Sequence, residues 1–79
     1  MERHELEAQV IEMVAIAYKK DPSEVTLESS FKGDLSGASV QMVALVSEIE
    51  NELDVALMLA DASACTTVAD LIELIEEEM

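Results

Sequence analysis

Phe31-Lys32-Gly33-Asp34-Leu35-Ser36-Gly37-Ala38-Ser39-Val40 is the stretch from which the rest of the chain can be read. It passes from apolar anchors at Phe31 and Leu35, through the small residues Ser36, Gly37 and Ala38, into a periodic run that opens at Ser39. From Ser39 to Leu53 the residues Met42, Leu45, Val46, Ile49 and Leu53 recur three and four places apart, the signature of a helix with one apolar face, which Val40 and Val43 extend. Ser39 thus stands at a helix start, where backbone N–H groups are unpaired and the helix dipole is positive, so a covalent phosphate on it would be stabilised. Serine is also among the preferred N-cap residues, and position alone permits either reading.

Working outward, Leu6, Val10, Met13, Val14 and Ala17 follow helical spacing between Glu5 and Lys19, with Ile11, Ile16 and Tyr18 widening the stripe until Asp21-Pro22 ends the run. Lys19 and Lys20 lie at the negative end of that helix. Residues 23–32 are too irregular for another long helix and read as a loop that pins Val25, Leu27 and Phe31 into the core. Residues 56–65 suit a short helix or an irregular turn. Thr66 or Thr67 then caps a last helix through Val68, Leu71, Ile72 and Ile75, with an acidic, frayed end at Glu76-Glu77-Glu78.

Composition narrows the function classes. Seventy-nine residues support one domain and one modest core, which argues against an independent enzyme. Hydrophobic residues make up 51% of the chain and aromatics 3%, so the core is aliphatic and helix-borne. The formal net charge is −14, and the four bases Arg3, Lys19, Lys20 and Lys32 all precede residue 33. Such a surface repels nucleic acid and anionic lipid and steers towards basic partners. No apolar run approaches the roughly 20 residues of a membrane span, and no basic-then-apolar leader is visible, so a cytoplasmic location is expected. Cys65 has no cysteine to pair with, and the one histidine, His4, sits in a segment expected to fray, so a Cys-His nucleophile is not expected. Asp34-Leu35-Ser36-Gly37 lacks the alternating oxygen ligands of a calcium loop, and no metal site is expected. Ser29, Ser30, Ser36 and Ser63 read as turn or capping residues.

Long helix, long loop, helix opening at a serine, short helix, capped last helix: in that order the chain resembles the acyl carrier protein family over nearly its whole length. Phe31, Asp34-Leu35, Ser39 with Val43, Leu45 and Val46, the run Glu48-Ile49-Glu50-Asn51-Glu52-Leu53-Asp54, and Thr66-Thr67-Val68-Ala69-Asp70-Leu71 carry the resemblance. The family's Gly-x-Asp-Ser-Leu signature reads Gly37-Ala38-Ser39-Val40 here, with Ala38 for the aspartate, Val40 for the leucine, and the glycine one place nearer the serine.

The resemblance implies an all-α, single-domain bundle over residues 1–79, with three longer helices and one short one. It implies that Ser39 receives 4′-phosphopantetheine from coenzyme A through a phosphopantetheinyl transferase. The chain would then be a monomeric, non-catalytic carrier that holds an acyl group as a thioester and presents it to separate synthase enzymes. Val40, Met42, Val43, Glu48, Glu50 and Glu52 are the expected partner-binding residues. Where the family usually places acids near the top of the second helix this chain has Ala38, Gln41 and Ala44, which points to a specialised fatty-acid or polyketide pathway. Met42, Val43, Met58, Ala60, Ala62 and Ala64 are candidates to line space for the acyl chain. The reading from another class is an unmodified acidic adaptor in which Ser39 only caps its helix.

Overall fold

The structure is a computed structural model that describes residues 2–33, 35 and 39–79, residue 39 by its backbone alone. Its described residues form α1 (Arg3–Tyr18), a single 3-10 turn (Pro22–Glu24), α2 (Ser39–Leu53), α3 (Leu59–Ser63) and α4 (Val68–Glu78). Three long helices and one short one make the expected helical bundle. α1 packs against both α2 and α4, and α3 bridges α2 and α4.

Each long helix contributes one stripe. On α2, Met42, Leu45, Val46 and Ile49 are buried, and on α4 Val68, Leu71, Ile72 and Ile75 are fully buried at the same spacing. On α1 the stripe is Leu6, Val10, Met13 and Val14, joined by Ala15 and by Tyr18, whose ring lies 5.8 Å from that of Phe31. Ile16 does not widen this stripe, because it stands 73% exposed on the opposite side of the helix from Val14. His4 lies exposed in the first turn of α1.

Chain ends of the helices follow local chemistry. α1 closes at Tyr18, where Lys19 turns left-handed (φ 58°, ψ 46°) and the Lys20 N–H reaches back to Ala15 O at 2.8 Å. Pro22 acts one residue upstream, holding Asp21 extended, and the Asp21 carboxylate caps the 3-10 turn by accepting from Ser23 N–H at 2.9 Å. That bond, followed by the one from the Ser23 hydroxyl, holds the Asp21 carboxyl below its ordinary range. Thr67 rather than Thr66 caps α4: its hydroxyl accepts from Asp70 N–H at 3.3 Å while the Asp70 carboxylate accepts from Thr67 N–H at 3.1 Å. The acidic end of α4 is helical through Glu78, and Arg3 of α1 bonds to both Glu7 and Glu76, joining the first helix to the last. These contacts raise the Arg3 pKa, the hydrogen bond to Glu7 most.

Candidate functional site

The approach to Ser39 is held by a backbone seam. Phe31 N–H donates to Thr66 O at 3.0 Å, Val68 N–H to Ser29 O at 3.1 Å, and Ala69 N–H to Leu27 O at 2.9 Å, so residues 27–31 are stitched to the start of α4. Phe31 and Leu35 are buried at 3% and 4%, and the Leu35 N–H closes on Ser30 O at 3.0 Å. Ser29 is more than a turn residue: it is 5% exposed, and its hydroxyl accepts from Thr26 N–H at 3.0 Å. A Cβ at Gly33 would stand 2.5 Å from the Ser30 hydroxyl oxygen, which itself accepts from Gly33 N–H, so any larger residue there would have to turn that hydroxyl aside. Sequence thus fixes both anchors of the segment that leads into α2. Asp34, Ser36, Gly37 and Ala38, on which the signature comparison partly rests, lie outside the described residues.

α2 begins at Ser39 and runs for 15 residues, so the first-turn N–H groups and the positive helix end belong to this position. Val40, the next residue, is 69% exposed, so the helix opens at the surface. A covalent phosphodiester at this helix start meets favourable electrostatics, and the residues present fit such a group.

The residues expected to meet partners separate into three groups. Met42 is 7% exposed and belongs to the core with Leu45 and Val46. Val40 and Val43 do not extend the buried face; at 69% and 45% exposure they stand in water beside the helix start. Glu50 lies ten residues after Val40 and seven after Val43, spacings that keep all three on one side of the helix. Its carboxylate accepts from Leu57 N–H at 3.1 Å, which brings the chain entering α3 against that side. Met58 and Leu59 follow at 69% and 44% exposure, so the beginning of α3, which packs on α2, also carries apolar side chains in water. Neither Leu59 nor the Glu50 tether was legible as part of this face, because a bond across seven residues leaves no periodic trace.

Glu48 and Glu52 point elsewhere. Two residues of helix turn a side chain by about 200°, and these two line a groove with Gln9, Glu12, Met13 and Ile16 of α1. Of the proposed cargo-lining residues, Met42 and Ala62 face the core, whereas Val43, Met58, Ala60 and Ala64 are exposed. Cys65 is half-buried, its thiol 3.6 Å from Asp61 O, and burial first, then Asp70 and Asp61, push its pKa up and keep it protonated. Among the described residues no group of His, Cys, Asp and Glu is arranged to hold a metal ion, and no helix is long and apolar enough to cross a membrane.

Comparison with known proteins agrees with this geometry. Residues 8–75 match the family described as phosphopantetheine attachment site. The chain is 34% identical over 79 residues to an acyl carrier protein of an Exiguobacterium species, strain AT1b, and 30% identical over 79 residues to one of Exiguobacterium sibiricum, with all of both chains covered in each case. A match of that extent, on a bundle whose central helix opens at a serine, places this chain in the acyl carrier protein family, with phosphopantetheine as the group it is built to hold.

Proposed function

We propose that Ser39 is the attachment residue and that the chain, as one carrier domain, presents a thioester-bound acyl group to the enzymes of a dedicated pathway. The observation that carries this reading is the start of α2 at Ser39, with Val40 in water beside it. On attachment the serine oxygen bonds to phosphorus, its proton is lost, and the nucleotide half of coenzyme A leaves. The bound group supplies a terminal thiol on which cargo is carried as a thioester. The chain's own residues position the attachment point: the seam at residues 27–31 and the buried Phe31 and Leu35 hold one side, and the core stripe of α2 holds the other.

Partner enzymes meet the face of Val40, Val43, Met58 and Leu59, with Glu50 at its lower edge. Met42 supports that face from within. Gln41, which is half-buried, and the exposed Ala44 stand where a family member would show acids, so docking here relies more on apolar contact and less on charge steering.

Incubation with coenzyme A and a broad-specificity phosphopantetheinyl transferase should add a single arm by intact-protein mass, and Ser39→Ala should add none while keeping its helical circular dichroism. Labelling of the alanine variant would move the site. A chain left unmodified by several transferases would be the acidic adaptor instead. The modified protein should bind a general fatty-acid ketosynthase weakly, and the combined Ala38→Asp, Gln41→Asp and Ala44→Glu variant should bind it more tightly, with steeper salt dependence.

A further inference from the structure

Between α1 and α2 runs an open groove of about 380 Å³, lined by Gln9, Glu12, Met13 and Ile16 from one helix and Glu48 and Glu52 from the other. Met13 is buried at its floor, and Ile16 stands 73% exposed at its edge. We propose that this groove is a second docking site, separate from the face beside Ser39, for a basic amphipathic helix of a partner protein. One apolar side chain of that helix enters against Met13 and Ile16, while lysines or arginines pair with Glu12 across from Glu48 and Glu52.

Charge complementarity selects the occupant. No lining residue is positive, and carboxylates from two segments far apart in sequence line one opening. Like charges so placed oppose the packing of α1 on α2, a cost of the kind that functional surfaces retain. The described carboxylates are not arranged to share one metal ion, so separate cationic side chains suit them better. A second copy of this chain, at a net charge of −14, is repelled. Glu12 and Ile16 sit one helical turn apart on α1, as do Glu48 and Glu52 on α2, so a partner helix with lysines three and four residues from a leucine matches both rims.

The test uses the full-length chain, unmodified, and a synthetic helical peptide with one leucine flanked by lysines at those spacings. Titration followed by backbone amide shifts should move residues 9–16 and 48–52. Combined Glu12→Gln, Glu48→Gln and Glu52→Gln should weaken binding about tenfold, against about twofold for the equally neutralised control Glu28→Gln, Glu77→Gln and Glu78→Gln. Ile16→Ser, at an exposed position that leaves the fold intact, should weaken it roughly fivefold without changing the salt slope. Equal weakening by both triple variants, no effect of Ile16→Ser, shifts spread over α4, or groove shifts that follow protein concentration without peptide would each overturn the proposal. None of these readouts passes through Ser39, so the outcome is independent of its modification.

Discussion

Along α4, Val68, Leu71, Ile72 and Ile75 are withdrawn completely from water, whereas on the α2–α3 face Val40, Val43, Met58 and Leu59 keep between 44% and 69% of their surface exposed. Residue type does not separate the two regions. What separates them is closure: the start of α4 is sealed by the Thr67–Asp70 capping box and by backbone bonds to residues 27–31, while among the described residues the outer face has the Glu50–Leu57 bond and leaves these four side chains exposed. The α4 region therefore carries stability, and the α2–α3 face leaves apolar area in water, where the proposed function puts partner contact.

The sharpest way to break this contrast is substitution on both sides. Ile72→Ala should cost about 3 kcal/mol in urea unfolding, the usual price of a large cavity, while Val43→Ala should stay within about 0.5 kcal/mol. Comparable losses would show Val43 to be a core residue after all. Thr67→Ala removes one half of the capping box and should cost about 1 kcal/mol, with early hydrogen exchange in residues 27–31 as its local sign.

Charge gives a smaller effect. The acids Asp34, Glu48, Glu50, Glu52, Asp54, Asp61, Asp70, Glu73, Glu76, Glu77 and Glu78 follow the last lysine, and only Arg3 reaches back to one of them among the described ion pairs. Added salt or millimolar magnesium should raise the melting temperature by a few degrees, roughly the shift that 1 kcal/mol or less produces in so small a domain. A flat response would mean that the acids are already compensated.

Tyr18 gives the smallest effect, visible only at alkaline pH. Burial raises its phenol pKa, so the folded state holds the proton that the unfolded chain releases near pH 10. Its contribution is present in full below that pH and is lost as pH rises towards the folded value. Tyr18→Phe should leave neutral stability almost unchanged and flatten the alkaline limb of the melting curve.

The helical periods of α2 and α4 were legible because every apolar residue in a three-four repeat meets the core. The span Ser39–Leu53 follows from its residues alone. Ile16, Val40 and Val43 were misplaced by the same rule, since apolar character reports what a residue can bury and not whether another element covers it. The run from Glu48 to Glu52 reads in sequence as one acidic strip, yet helical geometry sends Glu48 and Glu52 to the groove and Glu50 to α3.

By itself the sequence determined the three long helices and their order, their apolar stripes, the acidic surface and the serine at the opening of α2, because each depends on residues within a turn or two of one another. Only the tertiary structure decided which apolar residues stay in water, that Met42 is buried, that Thr67 rather than Thr66 caps α4, that residues 27–31 are sewn to α4, and that carboxylates of α1 and α2 share a groove. Those outcomes depend on which helices pack together and at what rotation, which is set by the joint burial of several stripes and is written in none of them singly.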